Sequence, residues 1–493
     1  VYGVAVLNGI GSTQLSSEGD TRLIGVRSSQ LQRDYKGELS TAGDLALQAS
    51  QVYPTTLSDF HISIDHYPGG TLSILPSTLE ATDVLSAGGK LAVEAPNILQ
   101  QGILRVPLGD LSLNATDTLW LAPGSVTSNA LGSATVPFGR TQGGLDWVYP
   151  LVGQNLVYAP QPQADSLPPP VKRMSLTAKS LQLDLGSTVD TSGGGDLYAF
   201  EFIPGPGGSV DILDRNDPKY VDGSHVYQEK YAVIPGFTGA YAPYDPLEYP
   251  VSGLSAGAQV YLSAGGGLQA GTYTLLPAHY ALLPGAYLVT VEPGTQDILP
   301  GQNLKTLNGD PIVAGYRKVA DTDYRDVRSS GFSIESQVVV RTRAEYTDSL
   351  ANTFFVDRAA QLHRTVPLLP RDAGSIRLSA DSALALRGSV AAVPDAGGMG
   401  GRLDIEAENL AIIATADAQV LGSVNILADD LNRLGVASIA VGGIREQADG
   451  YTPFVTRAST LILGENAKLA GPEFLLTAKD SITLQSGAEI RAD

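Results

Sequence analysis

Apolar and polar residues alternate in short runs that recur along the chain at nearly constant spacing. Gly89, Leu91, Val93, Ala95 and Leu99 reappear twenty residues later as Gly109, Leu111, Leu113, Ala115 and Leu119. Gly401, Leu403, Ile405, Ala407 and Leu410 reappear twenty-one residues later as Gly422, Val424, Ile426, Ala428 and Leu431. The same template returns at Met174-Leu176-Ala178-Leu181, Ile376-Leu378-Ala380-Leu384 and Phe474-Leu476-Ala478-Ile482. Period two describes a strand with one buried face. A unit of about twenty residues with one dominant strand and shorter apolar pairs matches one turn of a parallel β-helix. In such a coil Leu, Ile and Val stack inward over the coil below. Ala takes the tight corner, and Gly, Asn or Asp take turns that need positive φ. The expected fold is all-β, a right-handed parallel β-helix solenoid. A β-sandwich with similarly spaced strands is the alternative.

The repeat is readable over about residues 40–130, 171–212 and 373 to the end. This divides the chain into N-terminal coils with loop excursions (1–213), an extra-helical β-rich insertion (214–370) and C-terminal coils (371–493). Pro160 to Pro170 reads as an excursion or linker. The insertion is rich in Tyr and Pro, and about half of the chain's Tyr residues fall between Tyr220 and Tyr287. Tyr346 to His363 is the one place where a short helix is expected, with Leu350, Phe354 and Ala360 on one face.

Length fits a solenoid better than a single globule. A chain of 493 residues exceeds what one compact core supports, whereas coils that touch only their neighbours repeat without thickening the core. Hydrophobic residues make up 43 % and are patterned, which excludes disorder. The net charge is −19 and no basic run exceeds Lys172-Arg173, so nucleic acid is not an expected partner. No apolar stretch is long enough for a transmembrane helix. The chain contains no cysteine. That suits a cytosolic protein, and equally an exoprotein that crosses an outer membrane unfolded, where a premature cross-link would block export. The start at Val1, with no leader-like segment, reads as an excised piece of a longer protein.

Two segments carry a family resemblance. Gly271-Thr-Tyr-Thr-Leu-Leu-Pro-Ala-His-Tyr-Ala-Leu-Leu-Pro-Gly-Ala-Tyr287 and Leu434-Gly-Val-Ala-Ser-Ile-Ala-Val-Gly-Gly443, followed by Arg445, resemble a region of filamentous haemagglutinin-type large exoproteins. These are the secreted partners of two-partner secretion systems. The resemblance implies a rod-like adhesin on the bacterial outer surface, exported by an outer-membrane transporter and binding a cell-surface receptor or glycan. It equally implies the passive stalk of a contact-dependent toxin-delivery protein. No secretion-domain signature of the Asn-Pro-Asn-Gly type and no toxin segment is present in the sequence. Read without the family, the Gly271–Tyr287 run describes two short strands broken by Leu-Pro units, with Tyr273, Leu275, Tyr280, Leu282 and Tyr287 on alternating positions.

Catalytic chemistry is not expected. Gly253-Leu-Ser255-Ala-Gly257 has the spacing of a nucleophile elbow, but a strand-like Gln259–Ser263 follows instead of a helix. His61 and His66 flank Asp65 at a spacing unsuited to zinc. Asp211, Asp214 and Asp217, and Asp321, Asp323 and Asp326, lack the glycine of a calcium loop. Asp429-Asp430 is the one acidic pair within a clear coil, and it reads as a solvated turn rather than half of a polysaccharide-cleaving site. No cofactor or metal is expected. The preferred binding residues are Tyr241, Tyr244 and Tyr249, in Gly239-Ala-Tyr-Ala-Pro-Tyr-Asp-Pro-Leu-Glu-Tyr249. There prolines hold an extended loop and Tyr offers a flat apolar face with a hydroxyl at its tip.

Overall fold

The computed structural model describes residues 1–493 except 28, 30, 31, 33, 34, 66, 152, 163, 215–218, 222, 223, 227, 228, 238, 240–253, 320, 321, 447–452 and 493. The protein is mostly β and is organised around large parallel sheets. In the largest, the strands Val4–Leu7, Tyr35–Thr41, Ser58–Ile64, Lys90–Gln100, Asp110–Leu121, Arg173–Leu183, Ser375–Leu386, Arg402–Glu406, Ser438–Val441 and Phe474–Leu476 lie side by side in chain order. Every neighbouring pair in this row is parallel. A second sheet stacks Thr21–Leu23, Val52–Pro54, Ile103–Arg105, Val126–Ser128, Thr188–Asp190 and Ser389–Ala391 in the same order, again all parallel. Between residues 90 and 128 the chain visits the two sheets alternately, so each circuit adds one strand to each.

Register explains why the spacing is visible in sequence. Leu91, Leu111, Met174 and Ile376 are Cα partners on successive strands, and so are Val93, Leu113, Leu176 and Leu378. All eight are almost fully buried in one apolar core. Two residues further on Ala95 pairs with Ala115 and Ala178 pairs with Ala380, all four are buried, and the register shifts immediately after each pair. Small side chains sit where the strands bend, as the pattern predicts. Each large aliphatic residue buried in this way contributes roughly 1.5–3 kcal/mol.

Beyond the bend the sequence spacing misleads. Leu119 stands beside Ile98, not Leu99, because an extra residue is accommodated between Ala115 and Thr118. The twenty-one-residue correspondence also fails as a stacking register. Leu403 pairs with Ile439, while Val424 pairs with Leu410 in a separate four-stranded parallel sheet. Gly109 is a glycine for a different reason than expected. It has no positive φ, but a Cβ there would lie 2.0 Å from the carbonyl oxygen of Gly89.

Polar faces are ordered too. Lys36, Asp59, Lys90, Asp110 and Arg173 occupy one outward column, alternating in sign from strand to strand. Lys36 meets Asp59 at 2.6 Å and Arg173 meets Asp110 at 3.5 Å. Exposed pairs of this kind add little energy, but a slipped register would separate each charge from its opposite.

Two modules leave the parallel sheets. The first is a six-stranded sheet ordered Ser166–Leu167, Gln154–Tyr158, Asp146–Leu151, Thr135–Gln142, Asp196–Ile203 and Glu345–Leu350. Its core is Trp147, which stacks on Phe355 at 5.3 Å and donates its indole N–H to the Phe138 carbonyl at 2.9 Å. Phe355 comes from the helix Ala351–Leu362. That helix occurs where the sequence suggested one, but it buries Ala351, Phe355 and Ala359, while Leu350 precedes it and is exposed. The second module is an antiparallel seven-stranded sheet ordered Lys230–Val233, Tyr287–Glu292, Ser330–Ser336, Pro311–Lys318, Gln259–Leu262 and Gly271–Thr274, with Leu304–Lys305 added at Pro311–Lys318.

The Gly271–Tyr287 run is not two strands with a tight link. Ala278–Leu282 forms a 3-10 turn between Gly271–Thr274 and the strand that starts at Tyr287. Leu276, Ala278, Tyr280, Ala281 and Leu282 are buried there against Tyr198, Val340 and Tyr346. The segment therefore seals the second module onto the first. Arg341 clamps the same joint, reaching both carboxylate oxygens of Asp348, the Leu282 carbonyl and the Tyr346 carbonyl.

Candidate functional site

Alternation within the antiparallel module gives its sheet two unlike faces. On one face Tyr231, Val289, Phe332, Ile334 and Val313 close an apolar core. On the other, Lys230, Leu288, Thr290, Glu292, Ser333 and Glu335 line an open groove of about 700 Å³. Register brings these side chains together, since Thr290 stands between Lys230 and Ser333, and Leu288 stands beside Glu335. Val210, Ile212, Pro293, Leu307 and Ile312 form apolar walls.

Charge in the groove is concentrated at Arg343, in the last turn of the helix Gln337–Arg343. Its guanidinium bridges Asp310 at 2.5 Å and Glu335 at 3.3 Å. Asp310 also accepts from the Thr306 hydroxyl at 2.9 Å. Glu335 is 8 % exposed, and its Oε2 has no hydrogen-bond partner. Burial pushes the Glu335 carboxyl above the usual range; Asp310 and Glu292 reinforce that shift, while Arg343 and Lys230 oppose it. None of these residues stood out in sequence. Glu335 and Arg343 lie eight residues apart across a strand-to-helix junction, and the antiparallel register brings Asp310 to them.

The sequence-chosen binding residues Tyr241, Tyr244 and Tyr249 lie outside the described residues. Among the described tyrosines of the insertion, Tyr231 and Tyr280 are core residues. Tyr261 and Tyr316 are cross-strand partners whose rings stack at 5.0 Å, with the Arg325 guanidinium 4.7 Å from the Tyr316 ring centre. This pair is an aromatic surface feature that counting tyrosines along the chain did not single out.

The acidic candidates scatter. Asp430 is not on a solvated turn. It lies in the short helix Ala428–Asn432, is 6 % exposed and pairs with Arg433 at 2.8 Å. Burial raises its carboxyl pKa against the pull of Arg433. Asp211 accepts from the Tyr346 hydroxyl, and Asp326 from the Arg317 amide. Asp217, Asp321, Gly253 and His66 fall outside the described residues, and His61 approaches Glu94 at 3.4 Å. Among the described residues, no group of three or more His, Asp or Glu is placed to hold a metal ion.

A second polar cluster sits on the outer face of the large sheet near the C-terminus. The hairpin of Gly443–Arg445 and Phe454–Thr456 carries Arg445, whose guanidinium meets Asp404 at 2.6 Å. It also donates to the Ser438 hydroxyl and to the Leu403 carbonyl. Glu406, beside it, takes Arg377 and Arg457. Every charge here has a partner, which describes a lock rather than a binding surface. No protein-family model, no curated protein and no solved structure matches the chain.

Proposed function

We propose that the chain is a right-handed parallel β-helix segment of a secreted bacterial surface exoprotein of the filamentous haemagglutinin type, acting in adhesion. The observation that carries this reading is the parallel pairing of Arg173–Leu183 with Ser375–Leu386 on both sides of a single register shift, which leaves the intervening residues as a module on the side of a parallel stack. A stack held by inward aliphatic columns is stiff and extends by about one strand spacing, roughly 4.8 Å, per coil. Right-handedness follows the general preference of parallel crossovers. Absence of cysteine suits threading through an outer-membrane transporter, and the two resembling segments supply the family. A rod that carries a chemically distinct module sideways presents that module to a receptor or glycan on another cell. Tyr241, Tyr244 and Tyr249 are the proposed contact residues.

Two measurements on the purified chain test this. Small-angle scattering is expected to give an elongated particle, and beads coated with the protein are expected to adhere to cells in a dose-dependent way. A triple Tyr→Ser variant at 241, 244 and 249 is expected to lose adhesion at an unchanged unfolding temperature. A globular envelope, or beads that adhere to neither host nor bacterial cells, contradicts the reading.

A further inference from the structure

We propose that the two ends of the parallel stack are docking surfaces for each other. The strand Phe474–Leu476 of one copy of this chain pairs with Val4–Leu7 of a second copy, and the stack continues head to tail. The inference rests on the register of the parallel sheets and does not depend on where the protein is displayed.

The two ends match strand for strand. Val4–Leu7 and Phe474–Leu476 are the outermost strands in the row of the largest sheet. Among the described residues each pairs along one edge only, so each offers a free edge of backbone N–H and carbonyl groups. The strands that follow them round the coil do the same. Ser12–Ser16 and Ser481–Leu484 are paired on one side, and so are Thr21–Leu23 and Glu489–Ala492. The three strands begin at residues 4, 12 and 21 at one end and at 474, 481 and 489 at the other, so one coil lies over the other with all three edges in reach.

Side chains fit the same docking. One column of Cα partners runs from Ala5 to Leu476, and its neighbour runs from Val4 to Leu475, with no strand of the row skipped. Ala5 and Leu476 both pack against the apolar core, from its opposite ends. At the C-terminal end the cross-section is open. Ile482, Leu484 and Ile490 are 42, 56 and 45 % exposed, although the residues they stack on, Leu461, Leu463 and Leu469, are at most 1 % exposed. The stack thus ends on an apolar surface of the kind its preceding coil buries. A second copy brings the aliphatic Ala5, Leu7 and Leu15 against it. Head-to-tail stacking also keeps the parallel sense found at every step of the row, whereas two copies meeting tail to tail would run antiparallel. Such a contact does not close on itself, so it gives linear chains of copies rather than a dimer.

Sedimentation velocity of the intact protein over a concentration series tests the proposal. Elongated multimers that grow with concentration are expected. Ile482→Lys combined with Leu484→Lys is expected to leave a folded monomer, while Leu185→Lys, at an exposed apolar position in the middle of the stack, is expected to change nothing. Polarity is read by oxidising a mixture of two single variants, since the chain has no cysteine of its own. Val4→Cys mixed with Leu475→Cys is expected to give a disulfide-linked pair of unlike copies, and neither variant is expected to cross-link alone. This second readout decides if the double lysine variant does not fold. A protein that stays monomeric at millimolar concentration, multimers that persist in a folded double lysine variant, or Leu475→Cys copies that cross-link to one another overturns the proposal.

Discussion

The ammonium of Lys172 donates a hydrogen bond of 2.7 Å to the carbonyl of Pro370, 198 residues further along the chain. Lys172 immediately precedes the strand Arg173–Leu183, and Pro370 lies just before Ser375–Leu386, the strand stacked on it. The contact therefore ties together the chain before and after the insertion. Lys172 is 4 % exposed, and burial pushes its pKa down to about 8 despite the pull of Asp372 and Asp190.

That shift predicts an unusual pH profile. Below pH 8 folded and unfolded chains both carry the proton, and the folded state bears the cost of a buried charge. Between pH 8 and the ordinary 10.5 the unfolded chain holds a proton that the folded chain has lost. Stability contributed by this residue therefore rises with pH across that window, by on the order of 3 kcal/mol. Burial raises the pKa values of Tyr198 and Tyr346, which pull stability down at still higher pH. Denaturant unfolding of the native protein against Lys172→Met isolates the lysine. The difference between the two is expected to change through the window, and a constant difference contradicts the assignment.

Leu111 and Asp110 are neighbours on opposite faces of one strand. Leu111 is 2 % exposed, between Leu91 and Met174, whereas Asp110 points outward to Arg173. Leu111→Asp places an unpaired charge in the aliphatic column and is expected to cost about 4 kcal/mol or more, or to prevent folding. Asp110→Asn is expected to cost less than about 1 kcal/mol, because its partner is half exposed. Thermal unfolding of both variants checks the register, and equal losses would place it one residue out.

The buried pair of Asp404 and Arg445 predicts a non-additive cycle. Their side chains are 11 % and 9 % exposed. Arg445→Met strands a carboxylate beneath the hairpin and is expected to cost roughly 3–5 kcal/mol. Asp404→Leu combined with Arg445→Met is expected to recover much of that loss, since two apolar groups replace two desolvated charges. Additive losses in denaturant unfolding would show that the pair does not act as a unit.

The stacked parallel strands were legible because burial and period coincide. In the column of Leu91, Leu111, Met174 and Ile376 each inward residue repeats the environment of the one below. The pattern failed where two apolar residues are adjacent. Ile98 and Leu99 look alike, but only two residues separate the inward Ala95 from the inward Ile98, where three separate Ala115 from Leu119. It failed again at Leu403 and Val424, since strands of different sheets carry the same alternation. Tyr280 was read on a strand and lies in a 3-10 turn, because the prolines Pro277 and Pro284 flank too few residues for an extended pair. The groove left no trace in sequence. Glu335 and Asp310 are ordinary acids until the antiparallel register and Arg343 enclose them.

Pairing across the insertion is tested most directly by a cross-link, and the absence of native cysteine removes any background. Thr177 and Ser379 are Cα partners on adjacent strands and neither is buried. Adjacent strands lie about 4.8 Å apart, within the range a disulfide spans. Thr177→Cys combined with Ser379→Cys is expected to form an intramolecular disulfide under mild oxidation of the monomer, mapped by peptide mass spectrometry. Thr177→Cys combined with Asp381→Cys, two residues further along the same strand, is expected to leave both thiols free. Free thiols in the first variant, or equal cross-linking in both, would contradict a continuous stack running past the insertion.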